Sequence, residues 1–206
     1  MSNRRPIASR SLAPVQALAA YLARTSLTPN QISVFSVAAS VLVPVGLFAL
    51  SGWAASLIAV IGVQLRLLAN VLDGLVAVEG KKASPLGALY NEFPDRIADS
   101  IILVSVGAAA GVPSLGWLAA LLAALTAYVR VFGGSLGQPQ AFLGPMAKQQ
   151  RMAVVTVALL LQPLLASVVS AIVLWWLVLG LICVGSGWTC VLRAQHIAKQ
   201  LEGGAQ

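Results

Sequence analysis

The feature that most constrains this chain is a succession of apolar stretches, each about as long as a membrane-spanning helix. The first stretch, from Gln31 to Leu50, contains no charged residue. A helix needs about 20 mainly apolar residues to cross the hydrocarbon core of a bilayer. A mean hydropathy of +0.89 and a charged fraction of 9% are typical of integral membrane proteins, because a soluble protein of this length carries more surface charge.

Short polar or Gly/Pro-containing breaks divide the chain into six predicted spans, all of them α-helical. They run from about Gln31 to Leu50, Trp53 to Val78, Ser84 to Gly111, Leu115 to Phe132, Lys148 to Ala166, and from there to about Leu192. We therefore expect an all-α integral membrane protein. Its six-helix domain comprises residues 28–192, and a polar cytoplasmic tail comprises residues 193–206.

The segment before the first span, residues 1–27, is predicted to form an amphipathic helix. One face carries apolar side chains, namely Leu12, Val15, Leu18, Ala19 and Leu22. Arg10 and Arg24 lie opposite, a pattern typical of a helix that lies in the membrane interface, and this favours an uncleaved helix over a secretory signal. Thr28 or Asn30 is then the expected cap of the first span.

Lysine and arginine residues fall on one side of this six-span division. They lie before span one, between spans two and three, between spans four and five, and after span six. Because cytoplasmic loops carry the excess of basic residues, both termini are predicted to be cytoplasmic. Topology thus accounts for the net charge of +7, and no soluble basic domain is present to indicate nucleic-acid binding.

Five of the six acidic residues lie between Arg66 and Asp99. On helices that turn about 100° per residue, the polar and small side chains of this region fall on two stripes. The first stripe contains Arg66, Asn70, Asp73 and Ala77, and the second contains Ser84, Gly87, Ala88, Asn91 and Asp95. A turn from Glu79 to Lys82 separates them, so two helices can face each other across a polar cleft.

The spacing of these residues resembles the signature of the CDP-alcohol phosphotransferase family, Asp-x2-Asp-Gly-x2-Ala-Arg-x8-Gly-x3-Asp-x3-Asp. Every interval of the signature is intact. The second and fourth aspartates fall on Asp73 and Asp95, and the glycines and the alanine fall on Gly74, Gly87 and Ala77. Three positions depart from the signature: Asn70 and Asn91 stand at the first and third aspartates, and Val78 stands at the arginine.

The resemblance implies an enzyme that moves a phosphatidyl group from CDP-diacylglycerol, or a similar CDP-linked lipid, to a small alcohol and releases CMP. It also implies Mg²⁺ or Mn²⁺ as the cofactor and a homodimer. The implied metal ligands are Asn70, Asp73, Asn91 and Asp95, and Asp95 is also the implied base for the acceptor alcohol. The residues implied to contact the CDP moiety are Gly74, Ala77, Ser84, Gly87 and Arg66. We expect the protein in the bacterial inner (cytoplasmic) membrane, with its active site facing the cytoplasm.

The two asparagines keep a second interpretation open. The chain could be a catalytically degenerate membrane protein that binds a CDP-linked lipid, or a small transporter with an acidic central site. The retained Asp73 and Asp95 favour catalysis, since amide oxygens can also coordinate hard cations. These two carboxylates carry a combined charge of −2, which favours one tightly held cation. Asp99, one turn beyond Asp95, is a further candidate ligand.

Ionisable side chains inside predicted spans are costly and by default indicate function. Arg66 shares its stripe with Asp73, and two roles are open: it neutralises that carboxylate, or it binds a ligand phosphate. Glu92 and Arg96 are spaced i, i+4 in the favourable order, which predicts an ion pair that braces the site.

Basic residues cluster where span four ends and span five begins: Arg130, Lys148 and Arg151. The positive-inside bias alone could place them there. The functional alternative is a site for a phosphate carried by the acceptor, since arginine binds phosphate bidentately. The family resemblance at Lys148 to Arg151 is partial, because the family often has Gly-Lys-x-Lys-Thr there. This interpretation favours a phosphorylated alcohol over free serine, choline or ethanolamine.

Overall fold

The structure of the protein, a computed structural model, describes residues 12–203. Within that range the chain forms helices and connecting turns. The helices are α1 (Ala13–Ala23), α2 (Pro29–Ser40), α3 (Leu42–Ala49), α4 (Gly52–Glu79), α5 (Gly87–Ala109), α6 (Pro113–Ser135), α7 (Lys148–Leu165) and α8 (Ala171–Gly203). Predictions that fall on residues 1–11 and 204–206 lie outside the described residues.

The first predicted span consists of two helices, α2 and α3, joined at Val41. Pro44 explains the break, because it has no amide hydrogen for the carbonyl of Ser40 and its ring crowds that carbonyl. Thr28 caps α2, as predicted: its hydroxyl accepts from the Gln31 amide at 3.2 Å, and the Gln31 side chain accepts from the Thr28 amide at 2.9 Å. This reciprocal pair is a capping box.

Two helix boundaries differ from the sequence prediction. Helix α5 begins at Gly87, so Ser84 lies in the preceding connection, where its hydroxyl accepts from the Leu86 amide at 3.2 Å. Helix α8 continues to Gly203, which makes residues 193–203 of the polar tail helical. No proline or glycine interrupts that segment before Gly203, so nothing in its sequence stops the helix at the apolar boundary.

Within residues 12–203, four helical segments are long and apolar enough to cross a membrane: Pro29–Ala49, Gly52–Glu79, Pro113–Ser135 and Ala171–Gly203. The predicted third and fifth spans correspond to α5 and α7. Acidic and basic residues along α5, and the polar first turn of α7, lower the hydropathy of these two helices. The membrane-length segments coincide with predicted spans one, two, four and six, and the count of six spans stays a prediction.

The described residues divide into two compact units, residues 12–102 and residues 103–203. In the first unit, α1, α2 and α3 pack against α4. Helices α3 and α4 approach closely through glycines: a Cβ on Gly46 would lie 2.8 Å from the Ala55 carbonyl oxygen, and one on Gly62 would lie 2.9 Å from Leu42 Cβ. The helix that carries the first polar stripe is therefore held on several sides.

Helix α1 joins this unit through its apolar face. Ala19 is fully buried in a cluster with Ile32 of α2 and three residues of α4, namely Ala69, Leu72 and Val76. Val15 and Leu22 of the predicted apolar face pack against the same cluster, whereas Leu12 and Leu18 are exposed. The position of α1 in a membrane interface stays a prediction.

The second unit is built on α8, against which α6 and α7 pack. A Cβ on Gly133 of α6 would lie 2.7 Å from Ile197 of α8, so these helices also approach closely. The indole nitrogen of the buried Trp175 donates to the side-chain oxygen of Gln162 at 2.8 Å and thereby links α8 to α7.

Candidate functional site

The two predicted polar stripes are in contact, and the contact runs between α4 and α5. Arg66 Nη2 donates to Asp95 Oδ1 at 3.2 Å and to Asp99 Oδ1 at 2.6 Å. Asn70 Nδ2, one turn along α4, donates to the same Asp95 oxygen at 2.9 Å. A guanidinium and an amide from one helix thus fix the carboxylate of the predicted base on the other.

Arg66 is the most enclosed charged residue of this region, with no exposed side-chain surface. A single nitrogen, Nη2, makes its bonds to Asp95 and Asp99 and approaches the Asp95 carbonyl oxygen at 3.3 Å. Nε and Nη1 are buried and have no acceptor among the described residues. The sequence left two roles open for Arg66, neutralisation of Asp73 or binding of a ligand phosphate, and the ion pairs formed by Nη2 instead cross to α5.

Asp73 is buried on α4 and bonds to a residue that the sequence prediction missed. The hydroxyl of Ser33, on α2, donates to Asp73 Oδ2 at 2.6 Å. Ser33 belongs to a buried serine series on α2 with Ser36 and Ser40, whose hydroxyls bond to carbonyls of their own helix. Buried serines in an apolar span were the sequence signal for a polar contact here. Only the contact with α4 distinguishes Ser33 from Ser36 and Ser40.

The remaining predicted site residues of this region lie nearer the surface of the first unit. Asn91 and Ser84 are exposed, and Gly74, Ala77 and Gly87 are partly buried. A Cβ added to Gly87 would meet nothing within 4 Å, so open space adjoins the start of α5. The close approach of a ligand predicted for this glycine is sterically possible.

The predicted pair of Glu92 and Arg96 forms on α5. Arg96 Nη2 donates to a Glu92 carboxylate oxygen, and its Nη1 donates to the Glu92 carbonyl at 2.6 Å. Both side chains are about a quarter exposed, in contrast to the enclosed Arg66. This local pair is separate from the pairs that Arg66 forms with Asp95 and Asp99.

The oxygen donors of the stripes suit a hard divalent cation, because Mg²⁺ and Mn²⁺ take carboxylate and amide oxygens. In residues 12–203, however, no group of three or more His, Cys, Asp or Glu side chains could hold an ion by itself. Mg²⁺ is usually bound through one or two carboxylates and completed by water and substrate phosphates. The residues present therefore fit a cation that shares its coordination with a bound diphosphate.

The second unit contains a separate buried basic cluster. Arg151 Nη1 donates to the Met146 carbonyl at 2.9 Å and lies 3.3 Å from the hydroxyl of Thr126. Arg193 Nε donates to the Leu143 carbonyl at 2.9 Å, and its Nη1 bonds to the Thr126 carbonyl. Both arginines are about 3% exposed. Arg193 was absent from the predicted acceptor site, because it lies 42 positions beyond Arg151 and only the packing of α8 brings them together.

The connection between α6 and α7 supplies the carbonyls that these arginines use. Gly144 there has a φ of +104°, and a Cβ on it would lie 2.5 Å from Thr189 Cγ2, so both backbone conformation and space call for glycine. The Thr189 hydroxyl on α8 accepts from the Met146 amide at 3.1 Å. The backbone around the cluster is thereby fixed to α8.

Of the other predicted acceptor residues, Arg130 and Lys148 are partly buried. The Arg130 guanidinium bonds to the Gln140 side-chain oxygen and lies 5.4 Å from the centre of the Phe142 ring. Lys148 is the first residue of α7. The acidic residue among residues 103–203, Glu202, is exposed.

Comparison with known proteins places this chain among lipid-synthesising transferases. Residues 26–184 match the CDP-alcohol phosphatidyltransferase family. The chain is 33% identical over 191 residues to the archaetidylinositol phosphate synthase of Aeropyrum pernix, and the match covers 89% of this chain and 90% of that protein. Together with the apolar helices, the family match identifies an integral membrane protein.

Solved structures show the same fold. The crystal structure of Mycobacterium tuberculosis phosphatidylinositol phosphate synthase with CDP-DAG bound matches with a TM-score of 0.65 at 21% identity, covering 89% of this chain and 92% of that one. The same enzyme in complex with manganese and citrate matches with a TM-score of 0.64 at 21% identity, covering 89% and 88%.

Proposed function

Because the chain belongs to the CDP-alcohol phosphatidyltransferase family, we propose that it transfers a phosphatidyl group from CDP-diacylglycerol, or a similar CDP-linked lipid, to a phosphorylated alcohol and releases CMP. The observation that carries this proposal is the contact of Arg66 and Asn70 with Asp95. It joins the first and last parts of the signature, which lie on different helices.

In the proposed reaction, an oxygen of the acceptor alcohol forms a bond to the phosphorus of the phosphatidyl group. The bond from that phosphorus to the oxygen of the CMP moiety breaks, and CMP leaves with the electron pair. Asp95 accepts the hydroxyl proton, and hydrogen bonds from Arg66 and Asn70 to Oδ1 hold its carboxylate in one orientation. Orientation of the attacking oxygen is the main demand of such transfers.

A divalent cation, when bound, would neutralise the diphosphate. Asp73 and Asp95, with the amide oxygens of Asn70 and Asn91, are the residues that we assign to hold it. Mg²⁺ and Mn²⁺ both suit these oxygen ligands. Ser33 orients Asp73 in this assignment, because its hydroxyl donates to Oδ2 at 2.6 Å.

The proposed acceptor carries a phosphate. Support comes from the buried arginines of the second unit: Arg151 and Arg193 are held by neutral oxygens of Thr126, Leu143 and Met146. Two buried guanidinium groups that both contact Thr126 offer several hydrogen-bond donors to a phosphate. Arg130 and Lys148 would extend this site. An inositol phosphate is the first acceptor to test, since both relatives are named inositol phosphate lipid synthases.

The other candidate function is binding of a CDP-linked lipid without catalysis. The asparagines at two signature positions and the neutralisation of Asp95 by Arg66 favour it. The retained carboxylates of Asp73 and Asp95 favour the enzyme. A small transporter with an acidic central site is the third candidate. We also propose six spans, cytoplasmic termini and active site, and a homodimer in the cytoplasmic membrane.

The deciding experiment measures CMP release by the purified protein. CDP-diacylglycerol and Mg²⁺ or Mn²⁺ are supplied with inositol phosphate, glycerol 3-phosphate, free inositol, serine or glycerol. We expect CMP with a phosphorylated alcohol and little with the free alcohols. No CMP with any acceptor, in protein that binds CDP-diacylglycerol, would establish the binding protein instead. CMP with free alcohols only would exclude the proposed acceptor class.

A further inference from the structure

Asp99 makes the closer of the two contacts between Arg66 and a carboxylate. Arg66 Nη2 lies 2.6 Å from Asp99 Oδ1 and 3.2 Å from Asp95 Oδ1. We propose that Asp99 is a positioning residue: it anchors the Arg66 guanidinium, and Arg66 in turn holds Asp95 in the orientation that proton transfer requires. This inference rests on the proposed function for the role of Asp95 as the base.

Helix geometry places both carboxylates around one guanidinium. Asp95 and Asp99 are spaced i, i+4, so their side chains lie one above the other on the same face of α5. Arg66 on α4 reaches both of them with the same nitrogen. Any shift of the guanidinium away from Asp99 therefore also changes its contact with Asp95.

The two contacts differ in strength. Hydrogen bonds from arginine to a carboxylate are usually about 2.7–2.9 Å long, so the contact with Asp99 is tight and the contact with Asp95 is long. The Asp99 side chain is also the more enclosed of the two, and burial strengthens a charge-assisted bond. Asp99 therefore contributes more to holding Arg66. The weaker contact suits Asp95, whose carboxylate must take up and release a proton.

The position of Arg66 depends on these contacts, because its other two nitrogens do not hold it. The side chain has no exposed surface, and Nε and Nη1 are buried without an acceptor among residues 12–203. The acceptors of Nη2 are the two carboxylates and, at 3.3 Å, the Asp95 carbonyl oxygen. A buried guanidinium is stable only when it is paired. Without the Asp99 carboxylate, Arg66 would keep only the longer contacts within the described part of the chain, and we expect it to lose its fixed position.

The test compares Asp99→Asn with Glu92→Gln in the CMP-release assay of the purified full chain, at saturating Mn²⁺. Both variants turn a carboxylate on α5 into an amide, but Glu92 pairs with Arg96 rather than with Arg66. Asp99→Asn should lower kcat by about 10- to 100-fold, the usual cost of losing a residue that orients an active-site group. It should change both KM values by less than about threefold. Glu92→Gln should lower kcat by less than about threefold.

Three results of this comparison would overturn the proposal. The first is an unchanged kcat in folded Asp99→Asn. The second is a higher KM for the CDP-linked lipid with an unchanged kcat, because Arg66 would then bind a ligand phosphate rather than position Asp95. The third is an equal loss of kcat in Asp99→Asn and Glu92→Gln, which would show a general effect of removing charge from α5.

A double-variant cycle tests whether Asp99 acts through Arg66. In an Arg66→Gln background, Asp99→Asn should lower kcat and the melting temperature less than it does in the unmodified protein, because the contact that it weakens is already gone. Equal effects in both backgrounds would overturn the proposal. If Arg66→Gln does not fold, the change in kcat against KM in Asp99→Asn decides. No CMP release by the unmodified protein would defeat the proposed function, and the melting temperatures of the cycle would then decide whether Asp99 holds Arg66.

Discussion

The two units of the protein bury arginine in opposite ways. In residues 12–102, the enclosed Arg66 is held by the carboxylates of Asp95 and Asp99. In residues 103–203, Arg151 and Arg193 are equally buried but bond to backbone carbonyls and to the Thr126 hydroxyl. The first arrangement pairs the arginine with two carboxylates. In the second arrangement, these bonds are to neutral oxygens.

We propose that this difference divides the chemistry between the units. Carboxylates attract a hard divalent cation. Arginine suits an anion, to which it offers several donors in a fixed plane. We therefore assign the cation and the CDP diphosphate to the first unit, and the phosphate of the acceptor to the second.

The largest expected effect comes from a substitution in the first unit. Asp73→Ala should abolish CMP release, a loss beyond roughly 10³-fold, because it removes a charged ligand of the cation that stabilises the transferred phosphate. Glu92→Ala should be milder, since Glu92 pairs locally with Arg96 and is about a quarter exposed. The measurement is the initial rate of CMP release at saturating substrates. Equal losses in both variants, with unchanged melting temperatures, would contradict the assignment of Asp73.

A smaller effect is expected from the second unit. Changing Lys148 and Arg151 together to Gln should raise the acceptor KM by about 10- to 100-fold, since hydrogen bonds to charged groups contribute about 1.5–3 kcal/mol each. The KM for the CDP-linked lipid should change far less. Lys199→Gln is the control, because Lys199 is exposed on α8 of the same unit. If the folded double variant has an unchanged acceptor KM, Lys148 and Arg151 do not bind the acceptor, and the positive-inside bias alone accounts for their position.

Sequence patterns predicted the features that depend on residues close together in the chain. Intact signature intervals identified the family even though asparagine replaces aspartate at two positions, because spacing fixes which side chains share a helix face. The cap at Thr28 and the turn after Glu79 were predicted from residue type. The Glu92 and Arg96 pair was predicted too, since i, i+4 neighbours meet on any helix.

The partners that join different helices were not predictable in the same way. Asp99 lies 33 residues from Arg66, and Ser33 lies 40 residues from Asp73. Such contacts depend on the rotation and height of one helix against another, which a single sequence pattern does not determine. Arg193 was missed for the same reason: it meets Thr126 across 67 residues. Pro44, in contrast, was a local signal that could have predicted the break at Val41.

A third prediction concerns Ser33, which orients Asp73 in the first unit. Ser33→Ala should lower CMP release by about 10-fold, because loss of a hydrogen bond that orients a metal ligand typically costs 10–100-fold in affinity or activity. Its apparent Mn²⁺ affinity should fall in parallel. Ser36→Ala is matched in residue type and helix, but its hydroxyl bonds to the Ser33 carbonyl and it should retain activity. Equal activity of the two variants would remove Ser33 from the site.

The smallest expected effect is at Lys82. It tests whether burial or bonding to carbonyl oxygens makes a basic side chain important for stability. Lys82 Nζ donates to the carbonyls of Thr25 and Leu27 at 2.6 and 3.0 Å, as Arg193 donates to carbonyls in the other unit, but Lys82 is only partly buried. Water can replace its bonds. Lys82→Met should therefore lower stability by about 1 kcal/mol or less.

For a chain of this size, such a loss corresponds to a fall in melting temperature of roughly 2–4 °C. Lys81→Met is the control, because Lys81 is its exposed neighbour and has the same charge. Lys82 bridges the connection before α5 and the connection before α2, both outside the Arg66 contacts, so CMP release at a permissive temperature should stay within about twofold. A large loss of activity without a loss of stability would mean that the carbonyl-bound lysine serves the site, and that burial does not separate it from Arg193.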